Sequence, residues 1–167
     1  MKDEIFELVD EEGNIIGEAL RSDCHSNPDL LHRVAHVLVF RSNGDLILQY
    51  RPAHKDIQPD KWDSSVGGHL DKGETPDIAA HREMKEELGI ESDLQFIYSY
   101  IWRSDRESEL VSTYTCIYDG ELFPPADEVD ELRDWSPAEI EESLGTGKFT
   151  ENFELEWQKS KPYRMRK

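Results

Sequence analysis

Between Gly68 and Ile90 the chain reads GHLDKGETPDIAAHREMKEELGI, with Glu74, Arg82, Glu83, Glu86 and Glu87 at fixed distances from flanking glycines. At about 100° per residue, a helix through this run gathers Glu83, Glu86 and Glu87 within one arc of about 100°. Three carboxylates so close repel one another unless a cation sits between them. Hard oxygen donors of this kind suit Mg²⁺ or Mn²⁺, and a divalent cation so held would take a polyphosphate. Gly67-Gly68 lets the backbone turn sharply, so that a carbonyl can approach the metal. Glu74 adds a fourth carboxylate near the helix start, and Arg82 can pair with it to fix the loop against the helix. Taken alone, Arg82 to Glu87 also reads as an exposed acidic helix; the full spacing from the glycines onward does not.

The elements around this run can be read from periodicity and turn residues. Thr75 is the expected N-cap and Pro76 the first helical residue, with Gly89 ending the helix. Ile78, Met84 and Leu88 lie away from the carboxylates and suit packing. Ala79 and Ala80, one turn before Glu83, leave space beside it. Ile5–Asp10 and Ile15–Ala19 form a predicted hairpin across Glu11–Asn14. His32–Phe40 is a strong strand, turning at Ser42–Asp45 into Leu46–Arg51. A polar loop from Pro52 to Asp60 leads to a strand at Trp62–Leu70. Further strands are expected at about Leu94–Arg103, Leu110–Tyr118 and Val129–Trp135, then helices at Pro137–Leu144 and Phe149–Lys159. Phe149, Phe153 and Trp157 recur at helical spacing and should pack that last helix onto the sheet. The mixture implies an α+β sandwich with helices on a mixed sheet.

The chain has 167 residues, which favours one domain with a real core across 1–167. No apolar segment suggests a membrane span or signal peptide. The two cysteines, Cys24 and Cys116, give no disulfide framework, and a cytoplasmic protein is the expected setting. A formal charge of −18 repels nucleic acid and anionic membranes, whereas bound cations can still admit small phosphorylated ligands. The N-terminal hairpin and exposed strands make a homodimer a candidate arrangement.

The run resembles the Nudix box, Gly-x5-Glu-x7-Arg-Glu-apolar-x-Glu-Glu-x-Gly-apolar, with every specified position filled: Gly68, Glu74, Arg82, Glu83, Met84, Glu86, Glu87, Gly89 and Ile90. The resemblance implies an α/β/α sandwich and hydrolysis of a diphosphate linked to another moiety. Glu86 and Glu87 would ligate Mg²⁺ with the Gly67 carbonyl. Glu83 would ligate metal or act as general base, making Glu83 and Glu87 the catalytic pair, and Glu74 would be held by Arg82. Such enzymes often use another acidic residue outside the box; Glu107, Glu109, Glu121, Asp127, Glu128 and Asp130 are candidates. The segments CHSNPDLLHRVAHVLVF, LILQYRPAHK and KWDSSVGGHLDKGE are similar to the branch that contains isopentenyl diphosphate isomerase. By that likeness His25, His32 and His69 would help hold a metal, and Glu109 and Glu107 would match a catalytic and a metal-binding glutamate. The isomerase's cysteine would fall at Gly67, and its box is degenerate where this one is complete; both departures point to hydrolysis.

The same residues have plainer readings. His25 alone is an exposed loop residue, His32 opens a strand, and Glu107 and Glu109 read as solvated loop. Arg51 could meet a phosphate or form a surface salt bridge. Trp62 could stack on a flat group of the substrate, and core packing beneath the loop is the stronger reading. Cys24 beside His25 lacks the oxyanion or base context of a nucleophile.

Overall fold

The computed structural model describes residues 3–53, 58–126, 129 and 131–164. The expected acidic candidates Asp127, Glu128 and Asp130 lie outside the described residues. Among the described residues nine strands form one mixed, curled sheet. In chain order the elements are β1 (Ile5–Val9), β2 (Ile15–Leu20), α1 (Arg21–Cys24), β3 (Leu31–Phe40), β4 (Leu46–Tyr50), β5 (Trp62–Asp63), β6 (Val66–His69), α2 (Pro76–Leu88), β7 (Gln95–Arg103), β8 (Ser108–Ile117), β9 (Glu131–Trp135), α3 (Pro137–Ser143) and α4 (Glu151–Ser160).

Strand β3 is the spine. It pairs in parallel with β8 along its whole length, from Leu31↔Ser108 to Phe40↔Ile117. It also pairs with β1 at Leu8↔His32, with β6 from Val34↔His69 to Val37↔Val66, and with β4 at Phe40↔Leu46. Strand side chains alternate between faces, and β3 uses both. Ala35, Val37 and Val39 pack with the α2 residues Ala79, Ala80, Met84 and Leu88. Leu38 and Phe40 pack on the other face against Ile140, Phe149, Phe153 and Trp157 of the C-terminal segment. The α/β/α layering follows from that alternation. The apolar spacing read from Phe149, Phe153 and Trp157 is therefore core packing, as expected.

Three expectations change. The strand read across Trp62–Leu70 is two short pieces broken at Ser64-Ser65, because β5 pairs with β4 and β6 with β3. Helix α2 packs by its alanines, which are fully buried, while Ile78 is 56% exposed. Small side chains let the helix close on the sheet, so Glu83 and Glu87 sit on the packed face. The four-residue helix α1, which turns the chain from the hairpin toward β3, was not legible from periodicity.

Capping follows the sequence: Thr75 Oγ1 accepts from the Ile78 N–H at 3.4 Å, and Gly89 closes α2 with a left-handed φ of 68°. A Cβ at Gly89 would also meet the Phe123 carbonyl at 2.4 Å, so that position needs glycine on two counts. Among the described residues no helix is long and apolar enough to cross a membrane. Phe153 is completely buried between the sheet and α3. Phe153→Ala should cost about 3–5 kcal/mol, read as a lowered denaturation midpoint with unchanged m value; a cost below about 1 kcal/mol would contradict this packing.

Candidate active site

The glycine strand β6 and helix α2 build the acidic side of one cavity of about 570 Å³. Gly68 lies directly under Glu83: a Cβ there would fall 2.2 Å from the Glu83 carboxyl carbon. A side chain at 68 would displace the Glu83 carboxylate from this position. Glu87 accepts from Gln49 Nε2 at 2.6 Å through Oε1, while its Oε2 is sealed from solvent with no hydrogen-bond partner. Burial and the neighbouring Glu83 raise the Glu87 carboxyl well above its ordinary range, and burial raises Glu83 too, against the pull of Arg82. Glu86 stands at the rim, 54% exposed.

Arg82 organises this face. Its Nε and Nη2 bind the two Glu74 oxygens at 2.8 Å each, and Nη1 binds Glu83 at 2.8 Å and Glu86 at 3.2 Å. Nη2 also donates to the His69 carbonyl at 3.0 Å. Those hydrogen bonds hold the Glu74 carboxyl below its ordinary range. The expected Glu74–Arg82 brace is thus present, and Arg82 grips Glu83 and Glu86 as well.

A second donor set lines the same cavity. His25 Nε2 and His69 Nε2 face each other at 3.1 Å. Glu107 Oε2 lies 3.6 Å from His25 and 4.0 Å from His32, and Glu109 Oε2 lies 3.8 Å from His32 and 3.7 Å from His69. His32 Nδ1 bonds the Leu30 carbonyl at 3.1 Å, which turns the buried, unbonded Nε2 toward the cluster. Phe6 stacks on His69 at 4.5 Å. Burial lowers His32 to about 4 and His69 well below its ordinary value, so both rings are neutral and ready as ligands. Burial, then Glu107, pushes Glu109 up to about 8. The three imidazoles, and His32 with the two glutamates, each gather their ligand atoms within 4.8 Å. Neutral imidazole and carboxylate together fit a divalent metal. Glu107 and Glu109 are 6% and 8% exposed, so the solvated-loop reading is corrected: Glu109 lies in β8 opposite His32, and Glu107, immediately before that strand, is buried beside His25 and His32.

The other predicted residues separate. Arg51 lines the cavity, with Nη1 3.5 Å from Asp63. Trp62 packs edge-on against Tyr50 and Trp135, at 5.3 and 5.4 Å, and is absent from the cavity wall; Trp102 is the tryptophan there. Glu121 is exposed and away from the cavity. Cys24 is fully buried, and burial pushes its thiol up to about 11, unsuited to nucleophilic work. Sequence reasoning missed Gln49, His36 and Glu156. Burial opposes charge on His36, but the adjoining Glu156 carboxylate prevails and raises it to about 9. Burial would raise Glu156, whereas His36 and hydroxyl donors hold it low. A polar residue at an inward strand position was the available signal for Gln49 and His36; Glu156 gave none.

A NUDIX domain model matches residues 30–153. The chain is 35% identical over 135 residues to isopentenyl-diphosphate Delta-isomerase 2 of Photorhabdus laumondii, covering 80% of this chain and 76% of that protein. It is 40% identical over 91 residues to an uncharacterised Nudix hydrolase of Listeria monocytogenes, 54% of each. DR0079 of Deinococcus radiodurans superposes with a TM-score of 0.78 at 23% identity, over 93% of this chain and 98% of that one. The MutT protein of Methanosarcina mazei superposes with a TM-score of 0.69 at 17% identity, over 82% and 96%; both show the fold alone. The chain belongs to the Nudix family.

Two predictions follow from this geometry. Gly68→Ala displaces the Glu83 carboxylate from its place over β6, so divalent metal affinity measured by calorimetry should fall about tenfold or more, the loss typical of a supporting position; unchanged affinity would show that Glu83 needs no such seat. The second concerns pH. Glu109 titrates near 8 when folded against 4.5 ordinarily, so the native state keeps a proton that the unfolded chain has lost, and stability falls as pH rises through that interval. His36 contributes stability that is complete below about 6.5 and is lost toward 9. The metal-free melting temperature should therefore fall between about pH 6.5 and 8. Added Mn²⁺ should flatten the fall by taking the place of the proton; a melting temperature that rises over this interval in chelator would contradict the assignment.

Proposed function

We propose that the protein is a Mg²⁺-dependent hydrolase that cleaves the diphosphate linkage of a nucleoside diphosphate joined to another moiety, or of a related small organic diphosphate. The observation that carries this reading is the complete carboxylate face of α2 set against Gly67-Gly68, with Glu83, Glu86 and Glu87 all lining one cavity. Glu83, Glu86, Glu87 and the Gly67 backbone would hold Mg²⁺, with Mn²⁺ as a substitute. When bound, the cation supplies a Lewis acid that neutralises phosphoryl charge and lowers the pKa of water. Glu83 would take the proton of the water that attacks phosphorus. The P–O bond of the anhydride breaks, and the departing phosphate carries the electron pair. Arg82 keeps the carboxylates aimed, and Arg51 is placed to meet an outer phosphate. The cavity is also lined by Gln58, Asp63, Ser64 and Asn152, hydrogen-bonding groups that suit a polar moiety better than an isoprenoid chain. The histidine–glutamate cluster would hold a second divalent ion beside the same substrate.

The isomerase names of the relatives favour a second reading, an allylic diphosphate isomerase that adds a proton at one carbon and removes one from another. Glu109 could exchange one of those protons, but position 67 offers no side chain for the other. Incubation with isopentenyl diphosphate in D₂O separates the two: deuterium in the isoprenoid supports isomerisation, phosphate release supports hydrolysis. The test of the first reading is a Mg²⁺ and Mn²⁺ screen across nucleoside diphosphate conjugates, dinucleotides and coenzyme conjugates, followed by Glu87→Gln. That variant should lose turnover by more than about a hundredfold, beyond the 10–100-fold typical of an outer-shell partner, with an unchanged circular dichroism spectrum. Turnover like that of the unsubstituted protein would overturn the metal-face mechanism.

A further inference from the structure

His36 belongs to neither donor set, although it shares a face of β3 with His32 and lines the same cavity. Its Nδ1 meets Glu156 Oε2 at 2.8 Å, across a separation of 120 residues. Glu156 is fully buried on α4. Thr113 Oγ1 donates to its Oε1 at 2.5 Å, Tyr98 OH to Oε1 at 3.3 Å and Tyr100 OH to Oε2 at 3.2 Å. Of these five residues only His36 reaches the cavity wall. Its ring lies against Gly67, where a Cβ would come 3.1 Å from Cδ2 and 3.3 Å from Nε2. The side chain is 8% exposed, and no group among the described residues bonds its Nε2. The absent side chain at 67 thus leaves the space this ring occupies.

A buried ion pair costs desolvation that apolar side chains of similar volume would avoid, so packing alone gives little reason for one here. Glu156, with three hydroxyl donors and a single basic neighbour, fixes the ring's orientation and leaves one edge of it for a ligand. Beside that edge stand Gly67 and the carboxylate face, where the diphosphate would sit. We propose that His36 contacts the substrate, its Nε2 donating a hydrogen bond to a phosphoryl oxygen of the bound diphosphate, and that Glu156 is the positioning residue that orients the ring. The inference rests on the diphosphate reading above and adds to it a donor from outside the box.

Removing His36 alone would strand the Glu156 charge, so two variants are needed. His36→Leu/Glu156→Leu deletes both charges, and His36→Gln keeps an amide donor near the Nε2 position. Binding of inorganic diphosphate in the presence of Mg²⁺, and binding of Mg²⁺ alone, are measured by calorimetry on each folded variant. The double variant should bind diphosphate roughly tenfold to a hundredfold more weakly, the effect of losing one charge-assisted hydrogen bond, while its Mg²⁺ affinity stays put. His36→Gln should recover part of the loss. Diphosphate affinity within about twofold of the unsubstituted protein, or a parallel loss of Mg²⁺ affinity that marks a structural role, overturns the proposal. If the unsubstituted protein binds no diphosphate, this inference and the diphosphate reading both fall. If it binds in a His36-dependent way but turns over no diphosphate, only the hydrolytic reading falls.

Discussion

The guanidinium of Arg82 holds Glu74 with two nitrogens, Glu83 and Glu86 with the third, and the His69 carbonyl besides. The rest of the site depends on that grip. Glu83, Glu86 and Glu87 lie within one and a third turns of a helix, and two of them are driven toward the sheet by the packing of Ala79, Ala80 and Met84. Without a cation such a face would splay into solvent or take up protons. Arg82 neutralises part of it and ties α2 to the strand that ends at His69, so the face keeps its shape while Glu87 Oε2 stays unpaired.

The glycines complete that constraint from the other side. Gly68 gives Glu83 its seat, and Gly67 gives the His36 ring its space. Both belong to β6, which pairs with the middle of β3. Strand β3 carries His32 and His36 on one face and the α2-packing residues on the other, so a single strand aligns the carboxylate face, the imidazole cluster and the His36–Glu156 pair around one cavity. The cavity therefore joins hard oxygen donors to imidazole donors, a combination suited to more than one divalent ion on a polyanionic substrate.

The acidic face was legible in the sequence because its parts are local. Glu74 lies in the loop that leads into the helix, and helical periodicity places Arg82, Glu83, Glu86 and Glu87. Strands and caps were legible for the same reason, at Thr75, Gly89 and the Ser42–Asp45 turn. The direction of α2 was misread at Ile78, since alanines seldom look like a packing face until a sheet is known to approach them. Long-range partners left no trace. Glu107 and Glu109 look like solvated loop until the parallel pairing of β8 with β3 sets Glu109 opposite His32 and brings Glu107, just before the strand, beside the same ring. Glu156 looks like one more acid on an amphipathic helix, and only the fold brings it to His36. Trp62 packs in the core, the stronger of its two readings, while Trp102, for which the sequence carried no signal, lines the cavity, because pocket lining depends on which face of a strand meets it.

The central claim is that water, activated on the α2 face, attacks phosphorus. Turnover of a hydrolysed substrate in ¹⁸O-labelled water, with the products read by mass spectrometry, tests it most directly. The account predicts one ¹⁸O atom in a phosphate-bearing product for each bond cleaved, with the carbon moiety unlabelled. Label on carbon, or product formed with no ¹⁸O incorporated anywhere, would contradict it.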